Sequence, residues 1–263
     1  MTISIITINY NNDEGLKKTM TSVLEQTYDL IEYIVIDGGS TDGSVEVIEQ
    51  NNDQLAYSVS EPDKGIYHAM NKGIEKATGA YLLFLNSGDW LVHSKVIENF
   101  VAFKPVEDIV YGDPLVRSGK GWSRKYMPTT LNIGTVLVNT LAHQAEFYKQ
   151  SLFQDGLRYD TSYKCSSDRN LTIQAIIFKN ASSRYIDLVV CYFENPGISS
   201  DFELRHQERK RYLRENFDPY FLKLLKEYKK QNKAYNKLRG HRIVKIALWL
   251  QKRKESLLLK KRI

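Results

Sequence analysis

Apolar runs alternate with amphipathic segments over the first 110 residues of the chain. The apolar runs predict buried strands at residues 3–9, 32–37, 55–60, 81–85 and 108–111. Between them, apolar residues recur at helical spacing, as at Leu16, Met20 and Val23. A helix starting near Ile66 is predicted to close at Gly79 as its C-cap. Strands and helices that alternate with short connections predict an α/β fold, with a mostly parallel central sheet flanked by helices.

The second part of the chain is less regular. Apolar stretches at 152–153, 171–178 and 185–193 predict a helix and two or more strands that extend the sheet. From residue 201 the sequence is rich in Lys, Arg, Glu and Leu, which predicts helix to the end of the chain. We therefore divide the chain into a body, residues 1–200, with halves 1–112 and 113–200, and a helical extension, residues 201–263.

Charge is distributed unevenly between these two parts. Residues 201–263 hold 20 Lys and Arg against 7 Asp and Glu, whereas the whole chain has a net charge of +6. The body is therefore acidic, and the basic extension suits an anionic partner. With only Cys165 and Cys191, a disulfide framework and a thiolate zinc cluster are excluded. We expect both cysteines to be buried and reduced.

Three polar clusters follow predicted strands, at residues 9–11, 37–40 and 86–89. Ligands of such sheets bind at the carboxyl ends of the strands, so these clusters mark a candidate site. Asp89 can bind a hard divalent cation, and Asp168 and the pair His143-Gln144 are further candidates for chemistry. Helix capping and turn formation are the structural alternatives for these clusters. No phosphate-binding G-x-x-x-x-G-K-[ST] or G-x-G-x-x-G motif is present in the sequence. The motifs that usually indicate a kinase or a dinucleotide-binding enzyme are therefore missing.

Read together, six ordered segments resemble the inverting family-2 glycosyltransferases with the GT-A fold. The segments lie at residues 4–11, 36–44, 60–67, 69–73, 84–89 and 197–200. They look most like the branch that builds bacterial surface polysaccharides of the colanic-acid type. The resemblance implies a GT-A catalytic domain over residues 1–200, with a nucleotide-sugar half (1–112) and an acceptor half (113–200).

The resemblance also implies roles for individual residues. Asp168 would be the catalytic base, and Asp89 would bind Mn²⁺ or Mg²⁺ through the donor diphosphate. His143 and Gln144 are candidates for the acceptor pocket. The residues implied in nucleotide-sugar binding are Ile8, Tyr10, Asp37, Asp63, Lys64, Asn71, Asn86 and Ser87.

The chain departs from the family pattern at four positions. Asn86 and Gly88 stand where many members have aspartates, which leaves Asp89 as the single acid of that element. Gly38 stands where many relatives have a second Asp, and His68 where the branch often has Asp. These departures keep open an alternative in which the fold has lost catalysis and serves as a nucleotide-sugar-binding or scaffold subunit. A sugar-phosphate nucleotidyltransferase is a further alternative, but residues 9–14 lack the basic stretch that it needs.

The implied reaction transfers a sugar from a nucleotide-diphosphate donor, a UDP-sugar being the commonest in the family, to a hydroxyl of a glycan or lipid-linked acceptor with inversion. The predicted location is cytoplasmic, with an option of peripheral binding to the inner face of the cell membrane. That option depends on residues 243–250, where Ile243, Ile246, Ala247 and Leu250 share one helical face flanked by cations. Packing of this face on the body or in a homo-oligomer is the alternative. Nucleic acid is the least favoured partner of the basic extension, since few aromatic residues lie between the basic residues there.

Overall fold

The computed structural model describes residues 1–119, 121–138, 141–194 and 201–240. A nine-stranded sheet forms its centre, and eight strands follow the order β3-β2-β1-β4-β8-β6-β9-β5, with β7 paired to β6. The parallel half consists of β1 (Ile3–Asn9), β2 (Ile31–Asp37), β3 (Tyr57–Ser60) and β4 (Tyr81–Phe84). Asn9 pairs with Asp37, and Asp37 pairs with Ser60. The parallel register therefore brings the polar ends of three strands to one edge.

Four helices accompany this half of the sheet: α1 (Asp13–Leu24), α2 (Ser44–Gln50), α3 (Ile66–Lys76) and α4 (Val96–Ala102). The side-chain oxygen of Asn12 accepts from the Gly15 N–H and caps α1, whose buried residues include the predicted Leu16, Met20 and Val23. Helix α3 ends earlier than expected, with Ala77 as its C-cap rather than Gly79. Gly79 instead serves a close approach, since a Cβ there would lie 2.6 Å from Ser4 Oγ.

The second half of the sheet is mixed. Its strands are β5 (Trp90–Leu91), β6 (Ile109–Ser118), β7 (Gly121–Arg124), β8 (Glu146–Lys149) and β9 (Ser183–Phe193). Strand β8 runs antiparallel to both β4 and β6, whereas β6 and β9 are parallel. Because β4 and β8 are antiparallel, β8 begins at the edge where β4 ends.

The helices of this half are α5 (Ile133–Val138), α6 (Gln150–Gln154) and α7 (Ser167–Ile173), which continues as a π turn over Gln174–Phe178. The predicted α/β class, with its Rossmann-like sheet and helical C-terminal region, is confirmed. The sheet is mixed rather than mostly parallel, because the described strands form four parallel and four antiparallel pairs. Cys165 and Cys191 are free and buried, as expected.

Two further helices follow, α8 (Phe202–Asn216) and α9 (Pro219–Gly240). The chain divides into two compact units, of which the first is Met1–Tyr212 and the second begins at Leu213. Glu208 and Tyr212 of α8 are buried in the first unit. Among the helices that the structure describes, none is long and apolar enough to cross a membrane. The motif segment 197–200 and the predicted amphipathic face at 243–250 lie outside the described residues.

Candidate functional site

The ends of β1, β2 and β3 are joined by the carboxylate of Asp37, which is fully buried. One oxygen accepts from Asn9 Nδ2 at 2.8 Å and from Ser40 Oγ at 2.6 Å, and the other accepts from Ser60 Oγ at 2.6 Å. Burial raises the pKa of Asp37, but the hydrogen bonds from Ser40 and Ser60 outweigh it and hold the pKa below its ordinary value. Asp37 is therefore ionised at neutral pH, and its hydrogen bonds hold the loop after β2 in place. Its predicted role at the nucleotide site stays a prediction.

Beside this loop, Asp63 is the centre of a charged cluster. Its Oδ1 lies 2.6 Å from Lys72 Nζ and 2.9 Å from His68 Nδ1, and Lys72 also contacts Glu61 at 2.7 Å. His68, a departure from the family pattern, is thus a partner of Asp63. Lys72 is a site residue that was not predicted from the sequence, although it lies within the segment 69–73.

Gly38 separates Asp63 from the exposed ring of Tyr10. A Cβ on Gly38 would lie 3.2 Å from Tyr10 Cδ2 and 3.5 Å from Asp63 Oδ2. The tyrosine ring is 67 % exposed, which leaves its face available to a planar ligand. Tyr10, Gly38 and Asp63 therefore lie together at one corner of the sheet edge, and their role in binding a nucleotide stays a prediction. Lys64 is exposed nearby along the chain.

Three other predicted nucleotide-binding residues hold the backbone of the chain. The amide of Asn71 bonds both ways to Tyr159, donating to its carbonyl at 2.8 Å and accepting from its N–H at 3.0 Å. The carbonyl of Ile8 accepts from the Ser87 N–H at 3.0 Å, and Ser87 Oγ lies 3.3 Å from Asn12 Nδ2. The contacts of Ile8 and Ser87 connect β1 to the loop after β4, whereas those of Asn71 connect α3 to the chain at Tyr159.

At the end of β4 a polar chain connects Asn86 to Asp168 through His143. Asn86 Nδ2 lies 3.3 Å from His143 Nε2, and His143 Nδ1 lies 3.4 Å from Asp168 Oδ2. Tyr67 of α3 donates to the other oxygen, Asp168 Oδ1, at 3.3 Å. The antiparallel start of β8 places His143 here, and the first turn of α7 places Asp168. Residues far apart in sequence thus meet at one site.

The two predicted acids have opposite electrostatic environments. Burial raises the pKa of Asp168, but the hydrogen bond and charge of His143 outweigh it, so the pKa lies below its ordinary value. Burial raises the pKa of Asp89 to about 7, although His143 and a hydrogen bond from Gln144 oppose the rise. Asp168 is therefore ionised at neutral pH, while Asp89 has its charge only partly compensated by the chain.

Glu146, which was not predicted from the sequence, is almost fully buried and interacts electrostatically with His143 and Asp168. Its Oε2 accepts from Tyr148 Oη at 2.5 Å and from Thr172 Oγ1 at 3.1 Å. Burial raises the pKa of Glu146 to about 7. Burial also lowers the pKa of His143, but the bond to Asp168 and the charges of Asp168, Asp89 and Glu146 outweigh it and raise that pKa. The signal was an acid placed between apolar residues of a strand.

The residues at Asp89 fit a cation that takes few protein ligands. Among the described residues, no group of three or more His, Cys, Asp or Glu could hold a metal alone. Asp89 supplies one carboxylate, and Oδ1 of Asn86 is buried with no hydrogen-bond partner. Mg²⁺ and Mn²⁺ are oxygen-binding ions, and Mg²⁺ is commonly bound through one or two carboxylates together with substrate phosphates. The donor set therefore fits a metal that binds together with a diphosphate.

Comparison with known proteins identifies the family. The family model "Glycosyl transferase family 2" matches residues 4–170. The chain belongs to this family. An uncharacterized glycosyltransferase of Mycobacterium tuberculosis is 35 % identical over 209 residues, which cover 77 % of this chain and 78 % of the relative. A PGL/p-HBAD biosynthesis glycosyltransferase of Mycobacterium bovis is 30 % identical over 205 residues, which cover 75 % of this chain and 78 % of the relative.

Solved structures share the fold of this family-2 glycosyltransferase. S. aureus TarS 1–349 in complex with UDP superposes with a TM-score of 0.62 at 20 % identity, over 74 % of this chain and 60 % of TarS. The mannosyltransferase PcManGT from Pyrobaculum calidifontis, in complex with GDP-Man and Mn²⁺, superposes with a TM-score of 0.57 at 18 % identity. The match covers 74 % of this chain and 57 % of PcManGT. The chain thus spans less than two thirds of either solved protein. The predicted glycosyltransferase is confirmed, while the colanic-acid-like branch stays a prediction.

Proposed function

We propose that this glycosyltransferase moves a sugar from a nucleoside-diphosphate donor to a hydroxyl of a glycan or lipid-linked acceptor with inversion, in cell-surface polysaccharide biosynthesis. The observation that carries the proposal is that His143 interacts with both acids, through a contact of 3.4 Å with Asp168 and through its charge with Asp89. One acid then serves the leaving group and the other serves the nucleophile. The UDP, UDP-GlcNAc and GDP-Man complexes of the fold neighbours support a nucleotide-sugar donor.

Asp168 is the proposed catalytic base. An acceptor hydroxyl is a poor nucleophile at neutral pH, so a carboxylate must take its proton as the new bond forms. The lowered pKa of Asp168 keeps it ionised for this task. Tyr67 and His143 each contact a different oxygen of Asp168 and fix its orientation. The proton of the acceptor oxygen is transferred to Asp168 while that oxygen forms a bond to the anomeric carbon. The bond from the anomeric carbon to the nucleoside diphosphate breaks in the same step, which inverts the configuration.

Asp89, with Asn86 beside it, is the proposed holder of Mn²⁺ or Mg²⁺. A divalent cation bound there would offset the negative charge that develops on the departing nucleoside diphosphate. The Tyr10, Gly38 and Asp63 corner binds the nucleoside, with the Tyr10 ring against the base. Asp37 holds the loop that carries Gly38. His143, which contacts Asp168, and its neighbour Gln144 are the proposed border of the acceptor pocket.

The test is transfer and hydrolysis from a panel of UDP-, GDP- and dTDP-sugars by the full chain with Mn²⁺, with the product anomer read by NMR. We expect one donor to be used and its anomeric configuration to be inverted. Retention would overturn the single displacement. Donor binding without hydrolysis or transfer, unchanged in Asp168→Asn, would instead favour a catalytically inactive binding subunit, which the missing acids at Asn86 and Gly88 keep as the second candidate.

The basic extension supports a location at an anionic membrane surface, on the inner face of the cell membrane. Its amphipathic face at residues 243–250 would lie in the interface with flanking cations near the headgroups. Co-sedimentation with phosphatidylglycerol vesicles should be stronger for the full chain than for a chain that ends at residue 240. Equal, weak sedimentation of both would rule out this role and leave packing or a homo-oligomer.

A further inference from the structure

Asp89, the proposed holder of the cation, and its neighbour Asn86 are the two ends of one tight β-turn. The Asp89 N–H donates to the Asn86 carbonyl at 2.9 Å and closes the turn. Gly88, the third residue of the turn, has a φ of 97°. This positive φ favours glycine and disfavours the aspartate that many family members have at this position. The spacing of Asn86 and Asp89 therefore depends on the shape of the turn.

The hydroxyl of Thr19, a residue of α1, contacts the backbone of this turn. Thr19 is completely buried. Its Oγ1 donates to the Asp89 carbonyl at 2.7 Å, accepts from the Gly88 N–H at 2.9 Å and lies 3.4 Å from the Asn86 carbonyl. One hydroxyl therefore contacts the backbone at both ends of the turn and a peptide group between them.

A bond of Thr19 within its own helix does not account for these contacts. Thr19 Oγ1 lies 2.9 Å from the Gly15 carbonyl, one turn earlier in α1, which is a common local bond of a helical threonine. A hydroxyl has one proton to donate, and the Asp89 carbonyl is the closer acceptor at 2.7 Å. The bond from the Gly88 N–H uses a lone pair of the hydroxyl, for which the Gly15 carbonyl does not compete.

Thr19 is also one of several polar side chains by which this part of the chain holds the segment after β4. Ser22 follows Thr19 by three residues, so both lie on the same face of α1. Ser22 Oγ accepts from the Leu91 N–H at 3.1 Å, and Gln26, just beyond α1, donates from Nε2 to the His93 carbonyl at 2.8 Å. Ser22 and Gln26 hold the backbone that follows the turn, whereas Thr19 holds the turn itself.

We propose that Thr19 is a positioning residue of the cation site, whose hydroxyl fixes the spacing of Asn86 and Asp89 before a divalent cation binds. The proposal rests on the proposed function, since it takes Asp89 as the holder of Mn²⁺ or Mg²⁺. Mg²⁺ tolerates little departure from octahedral geometry, so a change in the shape of the turn would misplace an oxygen ligand. Groups that orient metal ligands typically contribute about 10–100-fold to metal affinity.

The test is the affinity of the full chain for UDP, measured by calorimetry with and without Mn²⁺. The ratio of the two affinities measures what the cation contributes. Thr19→Val keeps the β-branched shape but replaces the hydroxyl by a methyl group, and it should lower this ratio by about tenfold or more. The affinity for UDP without Mn²⁺ should be unchanged, because the proposed nucleoside corner consists of Tyr10, Gly38 and Asp63.

Ser22→Ala is the matched control. It also removes a hydroxyl of α1 that accepts from the segment after β4, but the donor, the Leu91 N–H, lies beyond Asp89. Both variants should have a lower melting temperature, because each loses hydrogen bonds to the backbone. Only Thr19→Val should lose the Mn²⁺ effect, and Thr19→Ser, which retains the hydroxyl, should restore most of it. A role in stability alone would instead change the ratio in both Thr19→Val and Ser22→Ala or in neither.

Hydrogen exchange, followed by NMR on the metal-free and nucleotide-free chain, tests the turn without the cation. The Gly88 amide proton should exchange several-fold faster in Thr19→Val than in Ser22→Ala, because only the first variant removes its acceptor Thr19 Oγ1. The Gly15 carbonyl, at 3.2 Å from the Gly88 nitrogen, should retain part of the protection.

Two calorimetric results would overturn the proposal. The first is the same Mn²⁺ effect in Thr19→Val as in the unsubstituted chain, and the second is an equal loss of that effect in Ser22→Ala. If the unsubstituted chain binds no UDP, or binds it no better with Mn²⁺, the proposed function fails instead. The exchange of Gly88 then decides the role of Thr19: faster exchange in Thr19→Val would support its hold on the turn, and unchanged exchange would reject it.

Discussion

Replacement of Glu146 by Gln should stabilise the protein at high pH and leave it unchanged at low pH. The pKa of Glu146 is raised from 4.5 to about 7, chiefly by burial, so the folded state binds this proton more tightly than the unfolded state does. Folding stability therefore falls as the pH rises from about 4.5 towards 7. Since each pKa unit corresponds to about 1.4 kcal/mol, the ionised carboxylate costs the fold about 3 kcal/mol at pH 8.

Glutamine keeps the shape of this side chain and retains an oxygen for Tyr148 and Thr172. The assay is urea unfolding of the metal-free chain at pH 4, 6 and 8, followed by tryptophan fluorescence. We expect Glu146→Gln to exceed the unsubstituted chain by about 3 kcal/mol at pH 8 and to match it at pH 4. A difference of the same size at both pH values would refute the electrostatic reasoning, as would a less stable variant at pH 8.

Glu32→Gln is a matched control with the opposite sign. Burial raises the pKa of Glu32, but hydrogen bonds from Ser4, Thr78 and Gly79 outweigh it and lower the pKa. Its carboxylate therefore contributes stability above the unfolded pKa, and this contribution is lost as the pH falls through the folded pKa. The Glu32→Gln variant should be less stable than the unsubstituted chain at pH 8, and the gap should narrow in acid.

Three further substitutions test the site itself. Asp168→Asn should lower turnover by about 10²–10⁴-fold with donor affinity retained, and turnover within a few-fold of the unsubstituted enzyme would exclude it as the base. Asp89→Ala should abolish the metal-dependent part of UDP binding in calorimetry, and an unchanged Mn²⁺ dependence would contradict its role. Gly38→Ala should weaken UDP binding several-fold without unfolding the chain, because its Cβ enters the corner between Tyr10 and Asp63; equal affinity would show that the nucleoside lies elsewhere.

The parallel half of the fold could be predicted because its signals are local. Apolar runs of strand length end in polar residues, and parallel pairing then aligns those ends, as it does for Asn9, Asp37 and Ser60. The mixed half depends on which strand pairs with which, and that depends on contacts distant in sequence. Nothing in the spacing of Asn86 and His143 shows that β8 begins where β4 ends.

The same limit applies to the site. Asp89 and Asp168 could be named from short motifs, but their opposite pKa shifts come from burial and from His143, which only the tertiary structure supplies. Glu146 was missed because its apolar neighbours in sequence do not show that it is buried, and burial is what raises its pKa. Lys72 was missed because its helical spacing does not show that it reaches back to Asp63.

The antiparallel pairing of β4 with β8 has a consequence for how this enzyme could be redesigned. Strands β1 to β4 reach the site with their last residues, whereas β8 reaches it with its first, so the two sides of the site are supplied by different connections. The segment between β7 and β8 is separate in sequence from the loops that follow β1, β2 and β3, so its part before His143 can be exchanged while His143 and Gln144, which contact Asp168 and Asp89, are kept. On the proposed function, grafting that segment from a relative should alter acceptor choice while donor choice persists, which makes it the place to begin when a new glycan linkage is wanted.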